Sequence, residues 1–363
     1  MSAAMRICAA QSAAPAIEEP WAVFDTTIEG WPYSHEANYV YLDGPPIILT
    51  ALPDERWRVY LRPSSEQSDL EEDATGTLGR YVPDARFAAV ANPTRFRCHT
   101  KVAEKYRSGR LLLAGDAAHT CSPIQGHGMD SGLQDAVNLA WKLALVCKGF
   151  CSDTLLDSYE AERRPVAQKF TASGDEADHA QVLKSPDDRR ARDAFIREIF
   201  ANPATRYQEA VAEAELNIDY GASPIVMGAR SDALAPGQLW PSDIEIRSAE
   251  GIPAVFDAGA HPMGHIAIVI GGDKAEPDEL SGLPGILEAY AGIPILEASF
   301  LLATATARGF ARIDRTIAER LGVSGVALFV VRPDGYLGLR ADQHHGEALA
   351  AYADRLGSPA TRA

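Results

Sequence analysis

Gly115 and Asp116 close an apolar run at 110–114, Pro123 follows within a short loop, and Gly126, His127, Gly128, Met129 and Asp130 open a helical pattern. A carboxylate at the end of a strand accepts hydrogen bonds from sugar-like hydroxyls. Glycines let backbone N–H groups approach a ligand closely. A helix start adds unpaired N–H donors and partial positive charge. Together these residue types suit a polyhydroxylated, anionic ligand. They are not the dinucleotide fingerprint, whose first glycine directly follows its strand, because eleven residues separate Ala114 from Gly126. Two other chemistries fit poorly. His119, Cys121 and His127 match no zinc spacing, and Ser122 with His119 and Asp116 lacks the G-x-S-x-G elbow of a hydrolase.

The elements that position this loop are legible as periodicities. A buried strand is predicted over 110–114, after a turn at Ser108-Gly109. The helix that follows places Met129, Leu133, Val137, Ala140 and Ala144 on one face, which predicts packing of that face on a sheet. Trp141 and Lys142 are assigned to packing and solvation. A second helix starts near Ser152 or Asp153, with a kink or restart at Pro165. Upstream, 35–63 alternates apolar and polar residues around turns at Asp43-Gly44-Pro45-Pro46 and Pro53-Asp54, predicting antiparallel strands; a short helix begins near 70–73. Tyr39, Tyr41, Trp57 and Tyr60 lie on these strands, where sheet packing outweighs substrate contact as the expectation.

Downstream, 175–218 is charged and alanine-rich and reads as exposed helices bridging two bodies. From 226 onward, strands at HIAIVIGG, ILEASFLL and VALFVVRPDGYLGLRAD alternate with helical segments at 312–321 and 346–355, predicting a small α/β domain. The domain reading is a poorly ordered segment at 1–24, an antiparallel sheet at 25–105, the loop and its helix at 106–175, a helical linker at 176–225 and the α/β domain at 226–363. The fold class is α/β (α+β).

Composition narrows the function classes. A formal net charge of −16 over 363 residues argues against a nucleic-acid partner, and no apolar run reaches the ~20 residues of a membrane-spanning helix. The five cysteines all fall within the first 151 residues. That odd count points to a reducing, cytoplasmic setting. CKGFC is not a C-x-x-C redox pair, and the N-terminus is too weakly apolar for a signal peptide.

The segment GRLLLAGDAAH…P..G.GM..GLQDAVNLAWKLALV resembles the second flavin-binding motif of the flavoprotein aromatic hydroxylases, the single-component FAD monooxygenases of the para-hydroxybenzoate hydroxylase and phenol hydroxylase type. YEAERRPVA, the strands at 35–63 and the C-terminal strands resemble the same family, the last as the thioredoxin-like domain of its phenol hydroxylase branch. The resemblance implies a partial FAD-binding domain. Asp116, with Gly115, would bind ribityl hydroxyls, while Pro123, Gly126, His127, Gly128, Met129 and Asp130 would lie along the flavin ring. No side chain is expected to act as nucleophile, and no metal is expected. NAD(P)H would reduce the FAD, and O2 would deliver one oxygen atom to a small aromatic substrate, phenolic or polyketide-like. His127 and Asp130 stand where Gln and Asn are commonest; a cationic His127 would offset the Asp130 charge.

The family's first flavin motif, G-x-G-x-x-G, has no counterpart here, and residues 1–24 are fewer than the roughly 30 of a βαβ unit. The chain therefore reads as a truncated hydroxylase. The alternative is a binding or oligomerisation module that keeps the helix signature without holding FAD. The C-terminal domain lacks cysteine, which excludes thiol chemistry there; dimerisation, as a homodimer, or cover for the substrate sheet is its expected role.

Overall fold

The computed structural model describes residues 10–11, 20–35, 40–42, 45–183, 185–230, 233–248, 251–256, 264–289, 295–302 and 311–357. After β1 (Ala10–Gln11), the strands β2 (Trp21–Glu29), β3 (Val40–Leu42), β4 (Ile47–Leu52), β5 (Arg56–Leu61) and β6 (Arg86–Phe96) form an antiparallel sheet in the order β3-β4-β5-β2-β6. Alternation decides its faces. In β5, Trp57, Val59 and Leu61 are buried while Arg56 is exposed and Arg58 and Tyr60 are half-buried. Helix α1 (Leu70–Tyr81) covers the buried face with Leu70, Ala74 and Leu78, and Asp69 caps it by accepting from the Glu71 and Glu72 N–H groups. Trp21 and Ala22 are already core residues, so the sheet begins inside the segment expected to be poorly ordered.

Short strands β7 (Lys101–Ala103), β8 (Arg107–Ser108), β9 (Leu111–Leu112) and β10 (His119–Thr120) lead into α2 (His127–Cys147) and α3 (Asp157–Gln181). β7 lies between β1 and β10 in a small antiparallel sheet. Next come α4 (Pro186–Ala201) and α5 (Pro203–Glu213), neither with a buried residue.

The C-terminal part comprises β11 (Ile244–Arg247), β12 (Pro253–Phe256), β13 (His265–Gly271), α6 (Pro277–Ala289), β14 (Ile295–Leu302), β15 (Ala311–Ile313), α7 (Arg315–Arg320), β16 (Val326–Val331), β17 (Leu337–Ala341) and α8 (His345–Arg355). Its seven strands run β12-β11-β15-β14-β13-β16-β17. β13 and β14 are parallel, joined through α6, whereas β13 pairs antiparallel with β16. Every residue of β13, β16 and β17 is buried, and β16 reads as a continuous apolar run rather than an alternating one, while β13 carries His265 and β17 carries Arg340. One core holds Leu328, Val330 and Leu339 together with Trp141 and Leu145 of α2 and Leu155, so this sheet packs directly on the end of α2.

Four expectations are corrected. The 110–114 segment is not a buried strand: β9 pairs only with β8, and Leu111 is 50% exposed. The apolar face of α2 is not packed on a sheet, since Met129, Leu133 and Val137 are 73%, 60% and 54% exposed. Lys142 is not solvated but fully buried beside Glu162. Pro165 neither breaks nor restarts α3, which runs through it; after a short 3-10 turn at Asp153–Leu156, the proline occupies the third turn of the helix. Tyr39, Asp43 and Gly44 lie outside the described residues, as does the Tyr41 side chain.

Candidate functional site

Two turns shape the loop between β9 and α2. Gly115 adopts φ 55, a left-handed conformation that suits glycine, and starts a 3-10 turn in which the Ala118 N–H donates to its carbonyl. Ser122 then caps a second turn over Pro123–Gln125, its hydroxyl accepting from the Ile124 N–H. Gly126, at φ 75, ends that turn and directly precedes His127, the first residue of α2. No side chain caps α2. Its first N–H groups and the positive end of a 21-residue helix are therefore free to meet a ligand.

Around this uncapped end, Asp116, Gly126, Met129 and Asp130 are exposed, Gly115, Pro123 and Gly128 are half-buried, and only His127 among the residues expected at the site is buried. A side chain at Gly126 would meet nothing within 4 Å, so the approach to the helix start is open. His127 points elsewhere. Its ring lies 5.9 Å from that of Phe170, with Nε2 3.6 Å from Glu213 and Nδ1 3.3 Å from Glu215. Glu213, then Glu215, pushes its pKa up to about 9, so the imidazole is cationic at neutral pH. Its charge is thus held between Glu213 and Glu215, in a buried position, whereas Asp130 is exposed.

What holds the loop in this shape is a buried polar layer. Asp135 of α2 accepts from the Gly115 N–H at 3.0 Å and from Arg163 Nε at 2.7 Å, and its Oδ2 lies 2.9 Å from His119 Nε2. Burial alone would raise the Asp135 carboxyl. The His119 hydrogen bond and the Arg163 charge outweigh it and hold the carboxyl below its ordinary range. Arg163 also donates to the Ser131 carbonyl and hydroxyl and to the Tyr220 hydroxyl. Because His119 is engaged with Asp135, it forms no triad with Ser122 and Asp116. Among the described residues, no group of three or more His, Cys, Asp or Glu is arranged to hold a metal.

A second buried layer ties the same helices to the C-terminal sheet. Glu162 accepts from Arg332 at 2.8 and 2.9 Å, from Lys142 at 2.8 Å, from Asn138 at 2.7 Å and from Ser223 at 2.6 Å. Burial opposes its ionisation, and the charges of Arg332 and Lys142 overcome that. Burial pushes Lys142 down to about 8. Asp334 completes the layer, accepting from Arg332 and from Trp141 Nε1 at 3.0 Å. Sequence reading missed Asp135, Asn138, Arg163 and Arg332. A signal existed for the α2 members: Ser131, Asp135, Asn138 and Lys142 recur at helical spacing, marking a polar stripe as periodic as the apolar one.

On the sheet side, Ile124 of the second turn packs with Trp21 and Ile48, flanked by Tyr60, Phe96 and Cys98. Arg62, at the end of β5, pairs with Asp178 near the end of α3 and lies 4.4 Å over the Trp21 ring. The sheet thus presents an apolar, aromatic surface beside the loop.

The chain is similar to known proteins in sequence and in fold. Residues 19–173 match the profile of the family described as FAD binding domain. The chain is 28% identical over 337 residues to 6-methylpretetramide 4-monooxygenase of Streptomyces rimosus, covering 88% of this chain and 58% of that protein. It is 42% identical over 137 residues to 3-(3-hydroxy-phenyl)propionate/3-hydroxycinnamic acid hydroxylase of Mycobacterium avium (strain 104), covering 37% of this chain and 23% of that one. The flavin-dependent monooxygenase PieE, solved in complex with FAD and substrate, superposes with a TM-score of 0.68 at 19% identity, over 96% of this chain and 67% of that one. The chain therefore spans about three fifths of the length of the first of these relatives.

Proposed function

We propose, from the match of residues 19–173 to the FAD binding domain profile and the likeness to monooxygenases and hydroxylases, that the chain is a flavoprotein aromatic hydroxylase: it binds FAD and serves the NAD(P)H- and O2-dependent hydroxylation of a small aromatic substrate, phenolic or polyketide-like. One observation carries this reading: an exposed Asp116 and an uncapped α2 start flank one open loop inside the matched segment. When bound, FAD supplies the redox chemistry, taking two electrons from NAD(P)H and activating O2.

The residues fit that group. Asp116, in acceptor-only carboxylate form, takes hydrogen bonds from ribityl hydroxyls, with Gly115 setting the turn. Gly126 and Gly128 admit the ring edge to the N–H groups of α2, and Pro123 and Met129 supply apolar contact. The helix end favours negative charge by roughly 0.3 to 2 kcal/mol, and the cationic His127 behind it acts in the same sense, offsetting Asp130. Asp135, His119 and Arg163 position the loop rather than touch the ligand. Tyr60 and Phe96, half-buried at the edge of the Ile48 cluster, are the aromatic groups an aromatic substrate lies against, shielding the reacting centre from water. We assign the C-terminal sheet to a thioredoxin-like domain that buttresses α2 and provides a homodimer surface, in a cytoplasmic protein.

The purified chain, saturated with FAD and passed through gel filtration, is expected to retain a flavin absorbance band and to oxidise NAD(P)H in the presence of a phenolic substrate. Asp116→Ala is expected to weaken FAD about 10- to 100-fold, the loss of a hydrogen-bonded charged partner worth about 1.5–3 kcal/mol. Unchanged affinity would overturn the ribityl assignment. Absence of any flavin retention would favour the non-catalytic binding module instead.

A further inference from the structure

Behind the start of α2, on the side away from its open face, α3, the end of α5 and the 215–223 segment enclose a cavity of about 440 Å³. Its walls are largely apolar, with Val166 and Phe170 from α3 facing Ala212 and Ile218. Different turns of α3 serve the two regions: Val166 and Phe170 line this cavity, whereas Asp178, about two turns further on, pairs with Arg62 of the sheet.

The polar end of the cavity is out of balance. Glu215 is 5% exposed and adopts φ 53, the left-handed position that ends α5, where its N–H donates to the Ala212 carbonyl and the Leu216 N–H to the Val211 carbonyl. Neither of its carboxylate oxygens receives a hydrogen bond among the described residues. His127 Nδ1, at 3.3 Å, is close enough to attract the carboxylate and too poorly aligned to donate to it. Glu213 stands on the other side of the imidazole, and Glu209 lines the same cavity. The other charged groups on the lining are Lys169, on α3, and Asp219 and Glu162, which are already engaged by Arg230 and by Arg332 with Lys142. A buried carboxylate lacking its hydrogen bonds is costly to maintain, and a donor arriving from the cavity would remove that cost.

We infer that this cavity is a second ligand site, for an organic ammonium ion with an apolar or aromatic body, its nitrogen seated on the cavity side of the Glu215 carboxylate and its body against Val166, Phe170 and Ile218. An ammonium supplies the donors that Glu215 lacks, and Phe170 offers a ring face to the cation. The apolar walls select an organic body over a bare ion. The incoming charge takes over the role of the imidazolium, so one cation enters as His127 releases one proton to solvent. Because His127 is also the first residue of α2, occupancy is felt at the start of the flavin loop. The inference does not depend on FAD being the ligand of that loop.

Phenethylammonium, with phenethyl alcohol as its uncharged counterpart, tests this by calorimetric titration of the full chain. The amine is expected to bind one-to-one, at least tenfold more tightly than the alcohol, with affinity rising as pH goes from about 7 to about 9 and protons released in proportion. The His127 ring resonances should shift toward the neutral form on binding. Glu215→Gln should lower amine affinity at least tenfold. Val166→Trp, which fills the cavity and keeps both carboxylates, should abolish binding while leaving the His127 titration in place. Equal affinity for amine and alcohol, or amine binding unaffected by both substitutions, would overturn the proposal.

Discussion

At His127 the local sequence and the tertiary surroundings answer different questions. A histidine at a helix start beside an exposed aspartate is readable as a source of positive charge, but what charges it is the Glu213–Glu215 pair, far away along the chain. The sign of the pH dependence follows. His127 titrates at about 9 in the fold against 6.5 for the free side chain, so its stabilisation is fully present below about pH 6.5 and is lost as pH rises through about 9. Allowing for the exposure of Glu213, the contribution is about 1–2 kcal/mol. Urea unfolding at pH 6.5 and 9.5 should show this loss in the parent protein and not in His127→Gln; equal losses in the two would sink the assignment. Asp135 was harder to find, because a buried aspartate in mid-helix is unexceptional until His119, Gly115 and Arg163 are seen converging on it.

At the level of elements, α2 carries two interleaved stripes of similar period, one apolar and one polar, and it is the polar one that faces inward. Hydrophobic periodicity identifies a helix face without saying what covers it. In this helix the usual rule that the apolar face is buried picks the wrong side, since Ser131, Asp135, Asn138 and Lys142 are each matched by a buried partner from α3 or the C-terminal sheet. Substitutions separate the two stripes. Leu133→Gln and Val137→Thr should change unfolding free energy by no more than about 0.5 kcal/mol, whereas Asp135→Ala, which strands Arg163 without its carboxylate, should cost about 3–5 kcal/mol. Chemical denaturation of the three variants checks this; a large loss from the exposed pair would mean that the stripe is covered in solution.

Across the whole molecule, Glu162 and Arg332 join parts 170 residues apart in sequence, α3 and the end of β16. With Lys142, Asp334 and Trp141 they make the C-terminal sheet a buttress for the helix that carries the site. Arg332→Met should destabilise by about 3–5 kcal/mol, because it leaves Glu162 and Asp334 buried with one cation fewer. Adding Glu162→Gln should recover part of that loss, since the two changes are coupled rather than additive. Urea unfolding of the single and double variants measures the coupling, and strict additivity would show that the pair does not act as the joint.

Much of the architecture was determined by sequence alone. The antiparallel strands around Pro53-Asp54, the largely apolar β13 and the fully apolar β16, the glycine and proline turns of the loop and the family they resemble all depend on short-range pattern, which a linear reading preserves. Tertiary structure decided the rest. It set which stripe of α2 is buried, where the charge of His127 comes from, why Lys142 tolerates burial, and that Glu215 faces a cavity with its carboxylate unsatisfied. Each of these depends on partners distant in the chain, and the energy of a buried charge is set by those partners and not by its sequence neighbours.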